Sequence, residues 1–225
     1  MSEVTDRLEA GKTLSAMAGN IAANAPVMLG VVLAASVVGG VADTLLERAG
    51  NMIGNIILFG VGLFASYTAL RTRFGNDPDI QPRGGRVFGI NLLSSLGIVL
   101  GLILLIVPGV MLFTRWAVAV PAMMRENLGA TEALGRSADL TKGARWMILG
   151  LGLIIWAPFL LLMILFGGLV GAFAGEAAMG TLWANLIVNL LVITTTVLSS
   201  ILWVECYVVL SGGEVQKDQL VEIFA

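Results

Sequence analysis

Residues 87–124 form a nearly unbroken apolar run that no single membrane-spanning helix can accommodate. As one helix these 38 residues would extend ~57 Å at ~1.5 Å per residue, nearly twice a hydrocarbon core of ~30 Å. The run contains Ile106-Val107-Pro108-Gly109. Proline lacks an N–H and disfavours helical dihedrals in the residue before it, and glycine accepts positive φ. The sequence therefore predicts a reversal at Pro108 and Gly109, giving two short spans, 87–107 and 110–124. A kinked or partly re-entrant segment is the alternative.

The rest of the chain has the composition of a membrane solute. Of its 225 residues, 57% are apolar and only 12% charged, against ~25% charged in soluble domains; the mean hydropathy is +0.92. Four further runs, 25–46, 52–70, 146–170 and 182–210, approach bilayer length. The expected fold is all-α: a polytopic membrane protein with six transmembrane helices in three hairpins. Eleven of the 13 Lys and Arg residues lie before the first span, in 71–86, in 125–145 or in the tail. Positive-inside asymmetry puts these segments and both termini in the cytoplasm, which requires an even number of spans. Trp146, Trp183, Trp203 and Tyr207 fall near span ends, as interfacial aromatics do. Residues 1–20 mix acids and bases without a cleavable apolar core, so no removable signal peptide is expected.

The chain divides as one membrane domain over 1–225: an interfacial segment (1–24), hairpins at 25–70, 87–124 and 146–210, cytoplasmic segments at 71–86 and 125–145, and a cytoplasmic tail at 211–225. In the first segment Val4, Leu8, Leu14, Met17 and Ile21 recur at helical spacing among charges, which suggests an interfacial amphipathic helix. In 125–145, Thr131 can cap a short helix, with Glu132 at its positive end, Lys142 at its negative end and Gly143 at the C′ position. Gly75-Asn-Asp-Pro78 and Pro82-Arg-Gly-Gly85 are turn chemistry.

Two charged residues fall clearly within the apolar runs, away from their ends. Arg115 is the costliest, at ~2.5 kcal/mol or more for a mid-bilayer arginine. Glu205 lies within the last apolar run. Helical side chains lean toward their N-termini, which would bring Glu205 toward the level of Arg115, and the two are expected to pair in the bundle interior. The pair would be structural or would move substrate or protons; snorkelling of Arg115 without a partner is the further alternative. Asn185, Asn189, Thr196, Ser199 and Ser200 share one face of the last span, with Thr195 at its edge and Glu205 nearly opposite. Such a face either bonds neighbouring helices or lines a polar cavity. Gly97-xxx-Gly101 and Gly167-xxx-Gly171-xxx-Gly175 permit close helix approach, within the monomer first and in a dimer second.

Several function classes are excluded or disfavoured. The net charge of −2 argues against nucleic acid. With no histidine and a single Cys206 in an apolar run, no metal set, no cofactor site and no catalytic constellation is expected. Arg125, Arg136, Lys142 and Arg145 can meet anionic head groups, although topology alone would also place them there.

Leu104-Leu-Ile-Val-Pro108-Gly109, Arg115-Trp116, Val120-Pro121, Glu126, Ala133-Leu134, Arg136-Ser137 and Leu140-Thr-Lys-Gly143 together resemble a pattern of bacterial multi-span proteins. These include the membrane domain that accompanies some glycerophosphoryl diester phosphodiesterases, and YciC-like proteins. The resemblance implies a six-helix membrane module in which Glu126, Arg136, Ser137, Lys142 and Gly143 form a cytoplasmic motif. In the phosphodiesterases catalysis belongs to a separate soluble barrel, for which these 225 residues leave no room. The expectation is a non-catalytic protein of the bacterial inner membrane that organises lipids or binds a protein partner or a second copy of itself. A small transporter or lipid-translocating protein using the polar intramembrane residues is the alternative.

Overall fold

The computed structural model describes residues 9–224 apart from 47, 76, 176, 177 and 179, and excludes the side chains of 48, 104, 106 and 213–224. The described residues form helices joined by short turns, without strands. The helices are α1 (Ala10–Leu45), α2 (Arg48–Phe74), α3 (Gly84–Leu104), α4 (Ile106–Trp116), α5 (Ala119–Glu126), α6 (Ala130–Leu140), α7 (Arg145–Ala174) and α8 (Leu182–Phe224). Six segments are long and apolar enough to cross a membrane: Ala10–Leu45, Ala49–Phe74, Gly84–Ile103, Val107–Glu126, Arg145–Ala174 and Leu182–Gly212. The chain is a multi-pass membrane protein.

The structure moves the central reversal. It lies at Leu105, whose backbone is extended (φ −167°, ψ 145°) between α3 and α4, three residues before Pro108. Pro108 occupies the first turn of α4, where its missing N–H costs no helical hydrogen bond. Gly109 is helical too, and its role is close approach. A Cβ there would fall 2.5 Å from the Leu102 side chain, and one on Gly101 would fall 3.0 Å from the Gly109 backbone. A Cβ on Gly97 would meet the Trp116 ring at 2.6 Å. The Gly97-xxx-Gly101 spacing thus serves packing of α3 on α4 and its continuation.

Other boundaries also differ from expectation. No break separates an interfacial helix from the first span: α1 is continuous for 36 residues and carries Pro26 within it, as membrane helices tolerate. Residues 1–8 of that expected interfacial segment lie outside the described residues. The fourth span bends where α4 gives way to α5 at Ala117 and Val118. Helix α8 runs through Phe224, so 211–224, most of the expected tail, are helical in continuity with the last span. The short helix expected in 125–145 is α6, but its N-cap is Gly129, not Thr131. The Glu132 carboxylate accepts the Gly129 N–H at 2.8 Å, supplying one orphan donor of the helix start with an acceptor. Gly143, at φ 93°, sits in the left-handed region just past the C-cap Thr141.

Contacts divide the chain into two units. Unit 1 comprises Met1–Asn20, Ser66–Leu151 and Ile201–Ala225. Its core includes Leu70, Ile90, Met123, Met124, Ile148 and Leu202, all fully buried. Unit 2 comprises Ile21–Ala65 and Gly152–Ser200. There Gly39 and Gly40 of α1 leave room for Asn189 and Leu186 of α8, and Gly50 of α2 lies against the Ala42 carbonyl. A Cβ added at Gly167, Gly171 or Gly175 would meet nothing within 4 Å, so that stripe makes no close helix contact among the described residues.

Candidate functional site

Glu205 is fully buried in unit 1. Its Oε1 accepts the Asn20 amide at 2.9 Å, and the same amide donates to the Ala69 carbonyl at 3.2 Å. The Arg73 Nε stands 3.1 Å from Oε2, an ion-pair contact without an aligned N–H bond. Arg73 lies in the last turn of α2, where a cation also complements the helix dipole. Arg115, the partner expected from the sequence, is exposed. The expected Arg115–Glu205 pair is therefore corrected to Arg73–Glu205. Leaning of side chains along a helix sets a level but not an azimuth, and Glu205 faces α1 and α2.

Two residues further along α8, and so turned by about 200°, Tyr207 donates its hydroxyl to Glu126 Oε1 at 2.9 Å. Glu126, at the end of α5, also takes the Arg136 Nε at 3.1 and 2.9 Å across its two oxygens. Arg136 belongs to α6. One carboxylate thus ties α5, α6 and α8 together. The α6 hydroxyls of Ser137 and its C-cap Thr141 donate to the Arg115 carbonyl at 2.9 and 3.3 Å; that carbonyl lies in the last turn of α4, where helical donors run out. What matters at Arg115 in these contacts is its backbone.

The flanking loops are tied down by arginines. Arg125 pairs with Asp77 at 3.1 Å and sits 5.0 Å over the Phe74 ring. Asn127 ends α5 in the left-handed region at φ 56°, which asparagine tolerates. Arg86 donates to its side-chain oxygen at 2.8 Å and to the carbonyls of Asn127 and Leu128 at 3.2 and 3.3 Å. Of the residues expected to form a cytoplasmic motif, then, Glu126, Arg136 and Ser137 act together, Gly143 shapes the turn after α6, and Lys142 is exposed.

The polar face of α8 behaves differently in unit 2. Asn185 donates to Thr44 Oγ1 at 3.0 Å, and Asn189 to Asp43 Oδ2 at 2.8 Å, both on α1. Thr195, Thr196 and Ser200 return their hydroxyls to carbonyls of α8 itself. Ser199 Oγ is buried without a partner among the described residues. Beside this face lies a cavity of about 720 Å³ between α1, α7 and α8. Its walls are apolar, from Met28 and Val32 to Phe159 and Leu198, with Thr194 and Thr195 the only hydroxyls. Asn185 and Asn189 do not line it.

Sequence reasoning missed Asn20, Arg73, Asp43 and the hydrogen-bonding role of Tyr207. Arg73 was one of several topology-setting cations and Tyr207 one of several interfacial aromatics; nothing local distinguished either. Among the described residues no three of His, Cys, Asp and Glu gather as metal ligands would. No match was found among curated proteins or solved structures. The family model of the membrane domain of glycerophosphoryl diester phosphodiesterase matches residues 90–218. The match takes in α4, α5, α6 and α7 entire, with the Glu126–Arg136–Tyr207 bonds and Glu205, and stops short of Asn20 and Arg73. Covering more than half of the chain, it establishes that this protein belongs to the family of glycerophosphoryl diester phosphodiesterase membrane domains.

Proposed function

We propose that the chain is a non-catalytic membrane module that organises its lipid surroundings or docks a partner through its basic segments. The observation that carries this reading is the commitment of the acids within and at the ends of its spans. Glu205 is held by Asn20 and Arg73, Glu126 by Arg136 and Tyr207, and Asp43 by Asn189. Carboxylates bonded in this way hold helices together and are poorly placed to act as acid or base on a substrate. The basic segments 71–86 and 125–145 and both termini face the cytoplasm of an inner membrane in this reading, following the cation asymmetry of the sequence. Incubating the purified chain with glycerophosphodiesters and with phospholipids tests it: no turnover is expected, and hydrolysis of either class would overturn it.

A second reading, lipid translocation, draws on the cavity of about 720 Å³ in unit 2, a volume within the ~300–1,000 Å³ range of small-molecule sites. Reconstitution in vesicles carrying a fluorescent phospholipid decides between the two. The module reading expects no acceleration of flip between leaflets, and acceleration abolished by filling the cavity with Ala25→Trp would establish the second.

A further inference from the structure

The cations of the 125–145 segment fall into two classes. Arg125 and Arg136 are neutralised by Asp77 and Glu126. Arg145 makes no ion pair with any described residue, and its Nε is buried without a hydrogen-bond partner. Lys142 is exposed and equally without an acidic partner among the described residues, as is Arg115. These cations share one neighbourhood of unit 1. The Ser137 and Thr141 hydroxyls bind the Arg115 carbonyl, Lys142 follows Thr141 directly, and Arg145 opens α7.

Arg145 also forms one wall of a pocket. It is about 220 Å³ in volume and is lined by Val107, Val110, Met111 and Thr114 of α4 with Arg145, Trp146 and Leu149 of α7. Arg145 and Thr114 are the only polar residues of this lining, and the surface it presents is almost wholly apolar. The rim is exposed: Val107 is 66% and Trp146 85% accessible. An arginine held half-buried beside an apolar crevice, with no ion pair among the described residues, is costly unless an anion reaches its guanidinium. Phosphate oxygens accept from guanidinium in short, charge-assisted bonds, and Trp at the start of a span sits at head-group level.

We propose that this crevice between α4 and α7 is a binding site for one anionic phospholipid, with its phosphate on Arg145 and an acyl chain in the pocket. Arg115 and Lys142 supply the surrounding positive field. The site rests on the reading of the chain as a lipid-organising module and names the lipid class it selects. Charge complementarity chooses anionic over zwitterionic lipid, and the apolar lining chooses a lipid over a free phosphate.

The test is lipid titration of the full chain in detergent, read by native mass spectrometry, with phosphatidylglycerol and phosphatidylcholine of identical acyl chains. The first phosphatidylglycerol is expected to bind more tightly than the first phosphatidylcholine. Arg145→Gln should reduce that preference about fivefold, the size of one basic residue's contribution near a membrane surface. Lys12→Gln removes the same charge from an exposed residue paired with Glu9 and should leave the preference unchanged. Val110→Trp, which fills the pocket, should weaken the first binding event for both lipids, and each variant's thermal midpoint verifies folding. Equal losses for Lys12→Gln and Arg145→Gln would mean a diffuse surface field and would overturn the site. Full displacement of phosphatidylglycerol by inorganic phosphate would overturn it as well. Lipid hydrolysis or translocation would remove the functional reading above yet leave the affinity difference in place, so the two failures are distinguishable.

Discussion

Unit 1 and unit 2 are built from stretches of the same long helices, α1, α2, α7 and α8, yet they are packed in different ways. Of the eleven largest fully buried side chains among the described residues, ten belong to unit 1 and only Ile193 to unit 2. Unit 1 also holds the short helices α5 and α6, whose alanines and methionines (Ala119, Ala122, Met123, Met124 and Ala133) are completely buried. These elements give the spans something other than lipid to pack against. The helices of unit 2 among the described residues are stretches of spans, with a cavity of about 720 Å³ and many apolar side chains turned outward, such as Leu29, Ile56 and Ile164. Lipid is as good a solvent as leucine, so outward leucines carry no penalty there and burial supplies little driving force. The polar bonds follow the same division. In unit 1, carboxylates reach across to other helices; in unit 2, Asn185 and Asn189 reach α1 while most hydroxyls bond within their own helix.

This contrast predicts where substitutions hurt. The largest effect is expected for Arg73→Ala, which leaves the fully buried Glu205 carboxylate without its cation. Loss of one partner of a buried pair costs about 3 kcal/mol, to be read as reversible unfolding in detergent. Adding Glu205→Gln should recover part of the loss, and Arg115→Ala should show no coupling to Glu205. If Arg115 rather than Arg73 couples to Glu205, the assignment of the unit 1 network breaks. Next comes Gly109→Ala, where a methyl group must displace Leu102 at the α3–α4 crossing, for about 2 kcal/mol. The same substitution at Gly171, which faces open space, should be silent in the same measurement.

Tyr207→Phe removes a hydroxyl donor from Glu126 and should cost about 1.5 kcal/mol, the value of a hydrogen bond to a charged group. It should also raise hydrogen exchange in α6, since Glu126 links that helix to α8. The smallest effects belong to unit 2. Asn189→Ala breaks the bond to Asp43 and should cost about 0.6 kcal/mol, the average for such bonds between membrane helices. Thr196→Val, whose hydroxyl serves only its own helix, should stay within about 0.5 kcal/mol of the parent. A large loss at Thr196 together with a small one at Tyr207 would invert the comparison.

Span number and element type were legible in the sequence, because bilayer thickness turns the length of an apolar run into a strong constraint. The short helix in 125–145 was legible as well, and so was the family pattern on residues such as Pro108, Glu126, Arg136 and Ser137. What sequence reasoning misplaced were local decisions between physically similar options. Pro108 and Gly109 are turn residues in isolation, but proline is equally at home in a helix's first turn and glycine equally useful where helices touch. The reversal fell at Leu105, a residue with no turn chemistry, because it places Gly109 against Leu102.

The partnership of charges shows the same limit most clearly. The apolar run around Glu205 required by itself that this acid be paired, and under the positive-inside rule the distribution of cations calls for most of them to share one side. Neither requirement says which cation meets which acid. Azimuth around a helix and contact between helices distant in the chain decide that, and they brought Asn20 and Arg73 to Glu205, Arg136 and Tyr207 to Glu126, and left Arg145 beside a pocket with an unmet donor.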